Sequence, residues 1–184
     1  MRKRTCKVCR EKYIPVRPLQ SVCERFDCAV AQGRTIREKA QRKANRKRRE
    51  GLLTINDHHK LAQKEFNAYI RLRDSHLPCV SCGRFHQGQW HAGHYRTTKA
   101  MPALRYNELN CHRQCSACNT HLSGAITEYR IELINRIGIN LVEWLEKDHK
   151  QPSKWTIEEL KALRKYYKNA QRAMMATPGE CEPF

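Results

Sequence analysis

Eight of the ten cysteines stand in short pairs: Cys6-x2-Cys9, Cys23-x4-Cys28, Cys79-x2-Cys82 and Cys115-x2-Cys118. Two thiolates held that close by a turn supply half of the tetrahedral sulfur shell that Zn2+ prefers. The four pairs therefore predict two structural four-cysteine sites. A structural zinc contributes roughly 10–16 kcal/mol of apparent folding free energy, enough to order a segment with almost no apolar core. Cys111 and Cys181 are left over. Between the last two pairs lies QWHAGHYRTT, residues 89–98, which sets His91 and His94 three apart around Ala92 and Gly93. An imidazole titrates near neutral pH, so it can take a proton from water or ligate a metal ion.

These residues need elements to position them. Residues 1–32 read as an N-terminal zinc ribbon or knuckle, with Tyr13, Ile14 and Val16 forming a short hairpin between the pairs. The stretch 33–53, GRTIREKAQRKANRKRREG and two residues more, is basic on all sides and has no apolar stripe. It reads as a solvated helical arm or a flexible linker. A helix follows in TINDHHKLAQKEFNAYIRLR, capped by Thr54 with Asp57 three residues on, and carrying Leu61, Phe66, Tyr69, Ile70 and Leu72. His58 and His59 are read as plain surface residues on its first turns. After Gly83, RFHQGQWHAGHY predicts two short strands turning near Gln87–Gly88, anchored by Phe85 and Trp90, with His94 at the end of the second. A loop carries Asn107 and Asn110, and Cys115 and Cys118 then open a helix bearing Asn119 and His121. This central core spans 54–124. Residues 125–176 predict helices punctuated by Gly138 and Pro152, the last opening with a Thr156–Glu159 capping box. They form core or a self-association face, and a two-fold homodimer through them is an expectation. Residues 177–184 read as a frayed tail with Cys181 a bystander.

The charge narrows the partner. The chain of 184 residues has 36 Lys and Arg against 18 Asp and Glu, a formal net charge of +18. Such a surplus repels itself until something acidic binds, which means nucleic acid or an anionic membrane. No apolar run is long enough to cross a bilayer, and MRKRTCKVCREKY lacks the apolar stretch of a signal peptide. The expected partner is therefore nucleic acid with no membrane, DNA under the nuclease layout described below, and the expected compartment is the cytoplasm. There oxidation of the cysteines is disfavoured and metal binding favoured.

Strand, strand, helix, with a histidine on a strand, an asparagine in the loop and a further ligand type on the helix, is the layout of HNH or ββα-metal nucleases. The expected fold class is α+β: a small zinc-stabilised ββα-metal core ringed by helices, plus the N-terminal zinc module. In that layout His94 takes the proton of an attacking water, and Asn110 bonds to the histidine or to backbone and fixes the ring. One divalent cation stabilises charge on the phosphate and the leaving oxygen, with His91 and Asn119 as its first ligands and His121 in reserve. Arg96, Lys99, Arg105 and Arg113 flank the cleft and are the candidate phosphate contacts; no motif for reading bases is present, so recognition by shape and backbone charge is expected. The zinc pins the strands to the helix.

LPCVSCG, QWHAGHYRTT, LRYNELN and QCSACNTHLSG, in that order, resemble the NinG/Rap family of lambdoid-phage recombination endonucleases, with the likeness running from about Phe66 to Trp155. The N-terminal cysteine pairs and basic arm are similar in layout. The resemblance implies cutting of branched recombination intermediates, Holliday junctions and D-loops, with Mg2+ or Mn2+. Two departures stand out. The family pattern has aspartate where this chain has His91, which moves the expected metal preference towards Mn2+ or another softer ion. HNH nucleases generally have an acidic ligand at the position of Gly93 and histidine at that of Asn119. A non-catalytic zinc-dependent nucleic-acid binder, or a recombination adaptor docking proteins through its C-terminal helices, fits the cysteines and the charge equally well. Only His91, His94, Asn110 and Asn119 separate the nuclease from these.

Overall fold

In a computed structural model of the protein, residues 2–147, 149 and 154–176 are described. The break expected at Pro152 and the tail with Cys181 lie outside them. The chain forms two compact units, Met1–Leu53 and Thr54–Phe184.

The first unit is a cysteine knuckle that continues into a helix. Strands β1 (Arg4–Thr5) and β2 (Lys12–Tyr13) pair antiparallel, with Arg4 opposite Tyr13. They flank Cys6 and Cys9, so the hairpin is wrapped around the first pair and not set between the pairs, and Ile14 and Val16 are left exposed. The bend needs a left-handed residue after Cys9. Arg10 takes it (φ 64°) and donates its N–H to the carbonyl of Cys6 at 3.0 Å. A residue with a side chain pays about 1–2 kcal/mol for that conformation, a cost that a zinc ion held by the four thiols would offset several times over. Helix α1 (Phe26–Gly51) carries Cys28 on its first turn and buries nothing else. It passes through Gly33 without a break, since an interior glycine costs only about 1 kcal/mol. The boundary expected at 33 is therefore absent, and the basic arm is a helix rooted in the cysteine module.

The second unit is organised around α2 (Ile55–Arg73). A capping box starts it: Thr54 Oγ1 accepts the N–H of Asp57, and Asp57 Oδ2 accepts the N–H of Thr54. Its apolar stripe, Ala62, Phe66, Tyr69 and Ile70, packs on Leu160 and Tyr167 of α5 (Ile157–Ala176). The Thr156–Glu159 box closes the start of α5 as expected. His58 is buried, against the surface position expected of it. It precedes Ala62 by four residues and Phe66 by eight, so it lies on the same stripe. Strand β3 (Trp90–His94) pairs antiparallel with β4 (Cys111–Cys115), Trp90 opposite Cys115 and His94 opposite Cys111. The expected hairpin through Gln87–Gly88 does not form. Residues 84–88 offer no apolar face, and Phe85 is 69% exposed, whereas β4 brings four buried residues to the pairing.

A single five-residue π-helical turn, Ala117–His121, follows β4 in place of the expected helix. Among the described residues the architecture is thus a mix of helices with two small two-stranded sheets, and an extended ββα unit is not seen. Helices α3 (Ile126–Ile137) and α4 (Ile139–Glu146), joined at Gly138 (φ 83°), cover the second core. Tyr129, Leu133, Val142 and Leu145 pack there with Val80, Tyr95, Met101 and Leu104. The C-terminal helices therefore complete the cores of the same unit.

Candidate functional site

Cys6, Cys9, Cys23 and Cys28 form one set of thiols, and Cys79, Cys82, Cys115 and Cys118 a second; within each set the sulfur atoms lie within 4.8 Å of one another. The two knuckles are built alike. Gly83 follows Cys82 with φ 64° and donates to the carbonyl of Cys79 at 2.9 Å, as Arg10 does in the first set. Backbone N–H groups point at sulfur: Cys23 to Cys6 Sγ (3.3 Å), Cys115 to Cys79 Sγ (3.4 Å) and Cys118 to Cys115 Sγ (3.5 Å). Burial opposes ionisation of Cys6 and Cys79, yet these N–H groups lower their thiols to about 6 and about 7. Burial and neighbouring thiols push Cys28 up to about 12, the repulsion that a cation at the centre would relieve. Four sulfurs so grouped, with thiolate-stabilising donors, fit Zn2+. Its contribution would be structural, closing each knuckle onto a distant segment.

The second cysteine set closes one end of the β3/β4 ribbon, and His94 sits at the other. Four residues of strand rise about 13 Å, so His94 is that far along the ribbon from the Trp90–Cys115 pair. Asn119 and His121 lie beyond that pair on the 117–121 turn, half-buried and exposed respectively. Residues three apart share a face of a helix but take opposite faces of a strand. His94 and Cys111 accordingly face α2, with the His94 ring 6.0 Å from that of Phe66. The face of His91 and Gly93 is the one where Gln114 and Tyr129 of α3 lie, and Tyr129 donates to the Gly93 carbonyl at 2.9 Å. A single ion shared by His94, His91 and Asn119 is therefore not assembled. Nε2 of His91 is buried without a hydrogen-bond partner. Among the described residues, the two cysteine sets are the groups of three or more candidate ligands close enough to share an ion. The side chains around His94 do not fit a protein-held Mg2+ or Mn2+ site.

His94 itself is held firmly. Its Nε2–H donates to the carbonyl of Arg105 at 2.9 Å, and Nδ1 faces Cys111 Sγ at 3.7 Å. Burial lowers its pKa, the Arg105 carbonyl partly opposes this, and the Arg105 charge adds to the lowering. The ring is thus neutral at pH 7, with the lone pair on Nδ1. Asn110 is fully buried and bonds only to backbone: Oδ1 accepts the N–H of Arg96 (2.8 Å), and Nδ2 donates to the carbonyls of Arg96 (3.0 Å) and Leu104 (3.2 Å). Of the two roles open to it, the structure has the backbone one. It ties the two ends of loop 96–104, and the next residue, Arg105, carries the carbonyl that orients His94.

The four candidate phosphate contacts divide. Lys99 is exposed, and Arg96 and Arg105 are half-buried. Arg113 is turned inward: it donates to the carbonyls of Ser75 (2.6 Å) and Leu77 (3.3 Å) and stacks 3.6 Å above the Trp90 ring. Its role is structural. Sequence reasoning missed Asp74, whose carboxylate accepts Arg73 Nε (2.6 Å), Arg73 Nη2 (3.0 Å) and the Arg113 backbone N–H (2.9 Å). An Arg–Asp pair at the end of a predicted helix was its only signal. Burial opposes ionisation of Asp74, but His112 and the Arg73 guanidinium hold the carboxyl well below the usual range.

Residues 1–176 match the family described as Bacteriophage Lambda NinG protein. Protein ninG of Escherichia phage lambda is 54% identical over 108 residues, 59% of this chain and 52% of that protein. Protein ninG of Salmonella phage P22 is also 54% identical over 108 residues, 59% of this chain and 53% of its own length. The chain thus spans about half the length of these two relatives. Protein ninG of Enterobacteria phage H19B is 41% identical over 179 residues, 88% of this chain and 89% of that protein. No solved structure matches. Because the family match runs through both cysteine modules and the ribbon between them, this chain belongs to the NinG family of bacteriophage proteins.

Proposed function

We propose that this protein is a zinc-braced DNA endonuclease acting on branched recombination intermediates in the host-cell cytoplasm, with His94 as general base. The observation that carries this reading is the anchored imidazole: Nε2–H on the Arg105 carbonyl at 2.9 Å, a depressed pKa, and Nδ1 as the acceptor nitrogen, facing the Cys111 thiol at 3.7 Å, which an attacking water must displace. In the step assigned to it, a water oxygen bonds to phosphorus as Nδ1 takes the water's proton. The bond from phosphorus to the leaving sugar oxygen breaks, and that oxygen is protonated from solvent. The imidazolium so formed keeps its Nε2–H bond to the carbonyl, which favours the charge. The net charge of +18 supports a polyanionic substrate. The branched substrate class comes from the resemblance of the central motifs. Mg2+ or Mn2+ remains the cofactor the resemblance implies, but no step is assigned to it because the described residues gather no ligand set for it beside His94.

A second reading, a non-catalytic zinc-dependent DNA binder, is favoured by that missing ligand set and by the Cys111 thiol beside Nδ1. Labelled four-way, forked and linear DNA, incubated with Mg2+, Mn2+ or EDTA, separates the two. Under the nuclease reading, wild type cuts the branched substrates and His94→Ala loses cleavage by at least about 100-fold while binding is retained. The wild-type rate is expected to be flat from about pH 6.5 upward, because the base is neutral above its lowered pKa. A His94→Ala protein of full activity overturns the assignment; a wild type that binds every substrate and cuts none leaves the binder.

A further inference from the structure

The solvent side of α2 forms one wall of a cleft of about 660 Å³, and Arg105 forms the other. Asn56, Lys60 and Lys64 recur every fourth residue along one row of the helix; His59, Gln63 and Asn67 make the adjacent row. Such rows stack up a helix at about 6 Å per step. Three cations line the cleft and no acid does. Lys60 keeps an exposed pairing with Asp57 at 3.9 Å, and among the described residues neither Lys64 nor Arg105 has a carboxylate within ion-pair reach.

The polar groups between the cations are also prepared for a ligand. Gln63 and Asn67 bond to each other at 2.7 Å, which leaves the second polar atom of the Gln63 amide buried without a partner. With both amides turned, their mutual bond survives and the unpartnered atom becomes an N–H donor, the group an anion's oxygen requires. His59 is fixed against Tyr106, with the rings parallel to within 5° and Nδ1 3.0 Å from the Tyr106 hydroxyl. The Tyr106 hydroxyl also donates to the His59 carbonyl at 3.2 Å, so the ring is a fixed wall of the cleft.

We propose that this cleft is a docking track for a DNA phosphodiester backbone. It rests on the reading that His94 acts on DNA, and it supplies the approach: the side chain of Arg105 lines the track while its backbone carbonyl holds His94. A chain of phosphates, each with acceptor oxygens only, matches cations spaced along one helix face better than any single small anion does.

The test uses the full chain, a fluorescent duplex of about 25 base pairs, and anisotropy titrations between about 50 and 200 mM salt. Lys60→Gln/Lys64→Gln/Arg105→Gln is compared with Lys161→Gln/Lys165→Gln/Lys168→Gln on α5, which removes the same charge elsewhere. The track predicts that the cleft variant binds at least about tenfold more weakly at low salt and loses roughly three units of log K against log salt slope, near 0.9 per phosphate contact. The α5 variant should change the slope by less than about one unit. Equal losses in both variants, or no loss in the cleft variant, overturn the proposal. Inorganic phosphate is added at fixed ionic strength in a parallel arm. Displacement of the duplex at millimolar phosphate would make the cleft a small-anion site and overturn the track; phosphate no better than chloride supports it. If the triple variant melts early, Lys60→Gln/Lys64→Gln, both at exposed positions, carries the same test with a slope change near two units. The readout is independent of cleavage. A wild type that never cuts, with the cleft variant defective in binding, removes the nuclease reading and keeps the track; His94-dependent cutting with unchanged binding does the reverse.

Discussion

Gly93 has no room for a side chain. A Cβ there would overlap Gln114 Oε1 and stand 3.0 Å from Gln114 Cδ. Gln114 cannot retreat, because it is 1% exposed and its Nε2 is held at 2.6 Å by both Ser81 Oγ and the Gly124 carbonyl. The same packing explains why no acidic ligand stands at this position. Gly93→Ala should therefore destabilise the second unit by about 1–3 kcal/mol, read as a lower urea midpoint with unchanged zinc content. A midpoint equal to wild type would mean that Gln114 yields without cost. At this scale the cysteine ligands were legible, because ligand type and two-residue spacing are themselves the chemistry of a zinc knuckle. The grouping of His91 with His94 was not. Three residues of separation mean one face or two depending on whether the segment is helix or strand, and QWHAGHY alone leaves its partner open.

Between elements, Asp74 is the joint. It stands at the end of α2 and binds the backbone of β4 through Arg113, while Arg73 donates to the carbonyls of Glu108 (3.1 Å) and Cys111 (3.0 Å). Removing its charge takes the nearer of two carboxylates from the Arg73 guanidinium, whose side chain is 22% exposed, and leaves it Glu108 at 3.9 Å. Asp74→Asn should cost about 1.5–3 kcal/mol at pH 7, measured by urea unfolding. The sign of its pH dependence follows from the lowered native pKa. The carboxylate's contribution is complete above its unfolded value of about 3.9 and is lost only as pH falls through the native one. The gap between wild type and variant should stay constant from pH 8 to pH 5; a gap that closes within that window would show that Asp74 is not the group responsible. The helices were readable from their caps and stripes, and α2 and α5 begin at the boxes their sequences announce. The pairing of β3 is not legible in sequence, because a nearby hairpin competes with a distant strand, and burial on both faces of β4 decides for the distant one.

Across the molecule as a whole, positive charge gathers on one element. Nine of the 36 Lys and Arg lie on α1, against three acids. Deleting 33–50 should lower the salt slope of DNA binding by several units and leave zinc in the first unit, because Cys28 stays on the first turn of the helix. Salt-dependent anisotropy and zinc content check this, and an unchanged slope would mean that α1 does not touch DNA. From residue types and spacing alone came the two four-cysteine sets, the net charge of +18 and the helical caps, since each depends on composition or on neighbours close along the chain. Tertiary structure alone decided which strand β3 meets, that His94 leans on the Arg105 carbonyl while His91 faces away, and that Lys60, Lys64 and Arg105 line one cleft. Those relations join segments up to 45 residues apart, and only the packing of α2 and the ribbon brings them together.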